Sequence, residues 1–91
     1  MNVLELFSKL NIKEPCSVNY EISNITKDTR KINKNSLFFL FDKKYLKEAL
    51  KKNVSIIVTD LDINSKEITV IKINNLNDCY TAALKLFYLI Y

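Results

Sequence analysis

Two apolar runs on either side of a helical pattern constrain the fold of this chain more than any other feature. The run LFFLF covers residues 37–41, and VSIIVTD covers residues 54–60. Between them, apolar side chains in DKKYLKEALKKN recur at the spacing of one helix face. Short apolar runs are typical of strands that are covered on both faces. The pattern therefore predicts a parallel βαβ unit with a right-handed crossover.

The flanking segments extend this unit. NVLELFSKL, residues 2–10, has helical spacing, and Asn2 can cap its start. VNYEISNI, residues 18–25, alternates apolar and polar residues and predicts a strand. ITVIKI, residues 68–73, predicts a further strand, and NLNDCYTAALKLFYLIY, residues 75–91, predicts a closing helix.

We therefore predict one domain over residues 1–91. Its fold class is α/β: a small Rossmann-like domain with a mostly parallel sheet of about four strands, flanked by helices. Pro15 is the expected break between the first helix and the first strand.

The composition excludes several kinds of site. The chain has no histidine and no glycine, so a Ser-His-Asp triad and glycine-rich phosphate loops are absent from it. Its net charge is +4, and a lysine cluster lies along the predicted middle helix, residues 43–52. That spacing is typical of a solvated helix face, so no specific nucleic-acid partner is expected.

Cys16 and Cys79 are far apart in sequence and form no metal-binding or redox motif. No apolar run reaches the length of about 18 residues that a membrane span needs, and MNVLELFSKL lacks the features of a signal peptide. We therefore expect reduced thiols, a cytoplasmic location and no membrane partner.

The segment KDTRK, residues 27–31, contains the only arginine of the chain. One interpretation is a structural clamp, in which Asp28 accepts backbone N–H bonds and Arg30 holds carbonyls or a carboxylate. The other is a ligand-facing turn in which Thr29 meets a small polar ligand. Composition favours the clamp and leaves the second interpretation open.

Taken in order, these segments resemble the N-terminal domain of the Mur ligases. DTR, at Asp28–Arg30, stands where that family has a D-[ST]-R motif, and KNSLFFLF stands where it has pGDLF and an apolar strand. ALKKNVSIIV stands at its GA-containing helix–strand junction, and AALKLFYLIY matches the closing helix, with Tyr88 at a family tyrosine. The resemblance covers nearly the whole chain and is strongest to the members that add the third amino acid of the peptidoglycan stem.

The resemblance implies a domain that binds the UDP end of a UDP-linked muramoyl peptide. By this resemblance, Thr29 matches the family residue that contacts the uridine portion, and Lys27 is expected to line that site. Asp28 and Arg30 are expected to shape the loop. Amide formation uses ATP and magnesium in other domains, which carry the glycine-rich loop. The resemblance thus implies no catalytic residue, cofactor or metal in this chain, which is expected to be inactive alone. The chain is expected to end where the linker to the ATPase domain begins.

The chain departs from the family after LFFLF, where a glycine-containing loop is shortened, and at Asn35 and Asn53, which replace glycines. UDP binding is therefore expected to be weak or lost. The alternative is a non-catalytic interaction module that retains the fold. Because the end of the closing helix is apolar on most sides, it would pack on its own sheet, on a partner domain or on a second copy through Leu86, Leu89 and Ile90.

Overall fold

The computed structural model describes residues 1–14 and 16–89. The predicted break at Pro15 and the predicted helical residues Ile90 and Tyr91 lie outside these ranges. The elements are α1 (Val3–Lys9), β1 (Asn24–Thr26), β2 (Ser36–Leu40), α2 (Leu46–Lys51), β3 (Ile56–Thr59), β4 (Thr69–Lys72) and α3 (Leu76–Tyr88), with short 3-10 helices at Thr29–Lys31 and Lys43–Tyr45.

The four strands form one sheet in the order β1-β2-β3-β4, and all three pairings are parallel. Phe38 of β2 lies beside Thr26 of β1 and Ile57 of β3. The predicted α/β fold with a parallel sheet of about four strands is confirmed.

The three connections between consecutive strands pack on the same face of this sheet. Ile32 from the β1–β2 connection, Ala49 from α2, and Leu61 and Ile63 from the β3–β4 connection all join an apolar cluster with Phe38. A sheet whose strands follow chain order through right-handed crossovers needs its connections on one face. The observed packing on one face therefore agrees with right-handed crossovers between all consecutive strands.

Helices α1 and α3 cover the opposite face, so the domain has three layers. Leu6 from α1 and Ala83 and Phe87 from α3 share one cluster with Phe39 of β2. Successive strand residues point to opposite faces, so Leu37 and Phe39 meet α1 and α3, whereas Phe38 and Leu40 meet α2. This double burial explains why residues 37–40 are all apolar.

Polar residues lie at several of the helix ends, and the predicted cap at Asn2 is confirmed. The Asn2 side chain accepts from the Glu5 amide at 2.8 Å, as a cap of α1. Asp42 caps the 3-10 helix Lys43–Tyr45, accepting from the Lys44 amide at 3.0 Å, and α2 begins only at Leu46. Asn53, after α2, has a left-handed backbone with φ of 59°.

The predicted strand over residues 18–25 is wrong for most of its length, because β1 covers only Asn24–Thr26. The preceding segment crosses the start of α1 instead. The Val3 amide donates to the Tyr20 carbonyl at 3.0 Å, and the Ile22 amide donates to the Met1 carbonyl at 3.1 Å. The alternating pattern thus reflects packing on α1 and the core, since Ile22 is buried with the α1–α3 cluster.

The outer edge of β1 is covered by a side chain rather than by another strand. The Ile25 amide donates to the Tyr88 hydroxyl at 3.0 Å, and that hydroxyl donates to the Ile25 carbonyl at 3.4 Å. Ile25 is the central residue of β1. The last turn of α3 therefore satisfies the backbone groups that the edge strand turns outward.

Candidate functional site

The predicted site residues lie in the turn that follows β1, at the carboxyl edge of the sheet. The Thr26 hydroxyl accepts from the Asp28 amide at 2.9 Å, which starts the turn. The 3-10 helix Thr29–Lys31 then leads the chain back towards β2. Ligands of open parallel sheets bind outside the carboxyl edge. The turn lies at that edge.

Asp28 and Arg30 hold each other across this turn. The Asp28 carboxylate accepts from the Arg30 amide at 3.0 Å, from Nε at 3.1 Å and from Nη2 at 2.9 Å. Hydrogen bonds from Arg30 are the main reason that the pKa of Asp28 falls to about 2. The pair has the geometry of a clamp, with the arginine side chain itself 85% exposed.

Thr29 faces inward rather than toward solvent. Its relative exposure is 5%, and its hydroxyl donates to the Glu48 carboxylate of α2. Because the hydroxyl proton is engaged in this bond, the group that the resemblance assigns to uridine recognition here ties the turn to α2. A ligand would meet Thr29 through backbone groups or through the remaining acceptor capacity of its oxygen.

Lys27 is exposed and lies over two aromatic rings. Its Nζ atom is 5.4 Å from the ring centroid of Phe41 and 5.7 Å from that of Tyr80. The two rings meet edge to face, with their centroids 5.6 Å apart, and Phe39 supports Tyr80 from below at 5.1 Å. Phe41 follows β2 as Lys27 follows β1, so the cluster lies at the carboxyl edge.

Burial raises the pKa of the Tyr80 hydroxyl, and a backbone hydrogen bond from Lys27 partly opposes this effect. The phenol is therefore neutral at physiological pH. The cluster of Lys27, Phe41 and Tyr80 is cationic and aromatic, which suits an anionic ligand that carries a planar ring.

The structure separates residues that the sequence grouped together. Lys27 is directed to Tyr80 on α3, whereas Thr29 is directed to Glu48 on α2. The sequence pattern predicts Phe41 as the end of an apolar run and Tyr80 as part of the closing helix. Only the structure puts Phe41 directly after β2, at the edge where ligands of parallel sheets bind. No sequence signal joins Tyr80 to it.

A concave region lies farther along the same edge, between the end of α1 and the start of α3. It encloses about 420 Å³ and is lined by Asn74, Asn75, Asp78 and Cys79 among other residues. Burial raises the pKa of the Cys79 thiol, so the thiolate is disfavoured. The acidic Asp78 makes this region a poor match for phosphate, in contrast to the Lys27 cluster.

Within residues 1–14 and 16–89, no group of three or more His, Cys, Asp or Glu side chains is placed to hold a metal ion. Over the same residues, every helix is too short or too polar to cross a membrane. No protein-family model matches the chain, and no curated protein matches it either.

Proposed function

We propose that this chain is the substrate-binding N-terminal domain of a Mur-type ligase and binds the UDP end of a UDP-linked muramoyl peptide. The observation that carries this proposal is the cluster of Lys27, Phe41 and Tyr80 at the carboxyl edge of a parallel sheet. The ordered motifs from DTR to the closing helix add independent support.

The cluster offers each part of a nucleotide a matching group. The ammonium group of Lys27 can donate to pyrophosphate oxygens, and the rings of Phe41 and Tyr80 offer apolar surface to uracil. To bind phosphate, the ammonium group of Lys27 gives up its exposed cation–π contacts, which are worth about 0.5–1 kcal/mol. A charge-assisted hydrogen bond to a phosphate oxygen contributes about 1.5–3 kcal/mol, so the exchange favours phosphate binding.

The proposal concerns binding and not the bond-forming step. In the Mur ligases, ATP and magnesium act in domains other than the N-terminal one, so this chain alone is predicted to bind the precursor without catalysis. Because the resemblance implies a nucleotide-linked precursor made inside the cell, we place the protein in the cytoplasm.

Titration of ¹⁵N-labelled protein with UDP tests the proposal. We expect amide shifts to concentrate at Lys27–Arg30, Phe41 and Tyr80. Lys27→Met keeps the side-chain stem and removes the charge, so it should weaken UDP binding about tenfold, the equivalent of about 1.4 kcal/mol.

Lys31→Met is the matched control, because it removes the same charge from an exposed residue of the adjacent 3-10 helix. It should change the affinity by less than about threefold, consistent with a small, screened surface effect. Unchanged spectra at millimolar UDP, or equal losses from both variants, would contradict the proposed site.

The bond from Thr29 to Glu48 favours a second candidate, an interaction module that has kept the fold and lost the nucleotide site. Thr29 is buried and already engaged. In addition, Leu89 is 76% exposed at the end of α3, whereas Leu86 is partly buried against the α1–α3 cluster. Ile90, the third residue of the predicted contact, lies outside the described residues.

Sedimentation over a wide concentration range tests this second candidate. A module that self-associates through Leu89 should dimerise, and Leu89→Lys should return it to monomer without lowering its melting temperature. A chain that stays monomeric at every concentration and also binds UDP would leave only the first candidate.

A further inference from the structure

The basic residues of this chain are concentrated in its middle third. Nine of the 14 basic residues and three of the 10 acidic residues lie between positions 27 and 53. That segment therefore carries a net charge of +6, and the rest of the chain carries −2, although the whole chain is only +4. The charge is thus distributed asymmetrically.

The fold gathers much of this charge on one side. Thr29 donates to Glu48, which fixes the 3-10 helix Thr29–Lys31 against α2. Lys31 and the exposed lysines of α2, Lys47 and Lys51, therefore belong to neighbouring elements. We call Arg30, Lys31, Lys44, Tyr45, Lys47 and Lys51 the α2 basic surface.

The acidic residues close to this surface already have partners. Asp28 is paired with Arg30 at 2.9 Å, Asp42 lies 3.9 Å from Lys44, and Glu48 accepts from Thr29. Among the described residues, Lys31, Lys47 and Lys51 have no acidic partner within 4.0 Å. Their ammonium groups thus remain available to external anions.

An exposed aromatic ring lies among these cations. Tyr45 is 42% exposed, and the Lys44 Nζ atom is 5.1 Å from its ring centroid. Basic side chains that surround an exposed aromatic ring are the combination with which proteins hold single-stranded nucleic acid: the cations contact phosphates and a base stacks on the ring.

We propose that the α2 basic surface binds single-stranded nucleic acid without sequence preference. Phosphates contact Lys31, Lys47 and Lys51, and one base stacks on Tyr45. The sequence pattern of α2 alone is typical of a solvated helix face. The structure adds the cations of the neighbouring 3-10 helix and an exposed ring. This inference is independent of UDP binding at Lys27.

Fluorescence anisotropy with labelled oligouridylate of about 15 nucleotides, a length in the range of single-strand sites, tests the proposal. The logarithm of the association constant should fall linearly with the logarithm of the salt concentration. The slope should be about −0.7 for each phosphate contact. Lys47→Gln combined with Lys51→Gln should reduce that slope by about 1.4. Tyr45→Leu should lower affinity at least about fivefold, as expected for a lost base stack.

Lys9→Gln combined with Lys85→Gln is the matched control, because it makes the same change in net charge on exposed residues of α1 and α3. It should leave the salt slope unchanged. UDP titration of each folded variant shows whether UDP binding at Lys27 is independent of the α2 basic surface. Four results would overturn the proposal. They are no binding at low salt, an equal loss of affinity in both double variants, full affinity in Tyr45→Leu, and competition by polyglutamate as strong as that by the oligonucleotide.

Discussion

Asparagine takes over backbone positions that glycine usually fills. The chain contains no glycine, and among residues 1–14 and 16–89 the positive φ angles belong to Asn11, Asn53 and Asn75, at 59°, 59° and 54°. Asparagine tolerates the left-handed region better than most residues, because its short side-chain amide can form hydrogen bonds with the nearby backbone. The role of Asn53 was predictable from its place after α2. Asn35, which stands at another glycine position of the Mur ligases that the chain resembles, keeps a negative φ.

Asn53→Ala should destabilise the protein by about 1 kcal/mol, because alanine pays a steric cost in the left-handed region. Asn53→Gly should be neutral or slightly stabilising, since glycine has no such cost. Urea denaturation measures both changes. Asn64→Ala, at an exposed position outside the strands and helices, should have almost no effect, and an equal loss there would contradict the backbone explanation.

The carboxyl group of Asp28 should titrate with a pKa of about 2, as followed by carboxyl carbon NMR. Because this value lies below the ordinary pKa of about 3.9, ionised Asp28 stabilises the turn above about pH 4. That contribution is lost as the pH falls from about 4 to about 2.

Arg30→Gln removes the main cause of this shift and should return the pKa toward its ordinary value. Lys31→Gln removes only a minor electrostatic contribution and should raise the pKa less. Equal effects of the two substitutions would mean that general positive charge, rather than the clamp geometry, lowers the pKa of Asp28.

At the scale of elements, the sequence predicted the βαβ unit, β4 and all three helices, because each has a clear periodicity or an apolar run. It misplaced the first strand, because an extended segment that packs on α1 has the same alternation as a strand in the sheet. Lys27 was named through the family resemblance and not through a residue pattern. The sequence could not reveal that Lys27 follows β1 at the carboxyl edge or that Tyr80 comes from α3 to meet it. Such convergence depends on how helices lie on the sheet.

Tyr88→Phe should destabilise the edge of β1, because it removes the hydroxyl that pairs with both backbone groups of Ile25. The expected loss is about 1 kcal/mol, and hydrogen exchange of the Ile25 amide should accelerate about fivefold. Tyr45→Phe is the control, since the Tyr45 ring lies exposed beside Lys44. Unchanged exchange at Ile25 in Tyr88→Phe would show that the hydroxyl does not protect this edge.

The whole molecule depends on one thin sheet with an apolar cluster on each face. A domain of 91 residues has little core to spare, since domains of this size are stabilised by only about 5–15 kcal/mol in total. β2 contributes to both clusters, so its side chains link the two halves of the core. Loss of packing at β2 should therefore affect the entire fold in one transition.

Phe39→Ala should cost about 3–5 kcal/mol, because it leaves a cavity at a fully buried site between β2 and Tyr80. Circular dichroism during heating should show one cooperative transition at a much lower temperature. Leu4→Ala, at a side chain that is 43% exposed, should shift the melting temperature only slightly. A biphasic transition in Phe39→Ala would contradict the idea that the two clusters unfold together.

The order of the strands also bears on how the chain acquires its shape during synthesis. Each strand pairs with the next one along the chain, so most of the sheet can form strand by strand from the amino terminus. Pairing then closes only short loops, which favours rapid folding. The contact between Tyr88 and Ile25 spans 63 positions and is completed only when α3 has emerged from the ribosome. Until then the outer edge of β1 stays open to neighbouring nascent chains, so the last turn of α3 also protects this strand from aggregation.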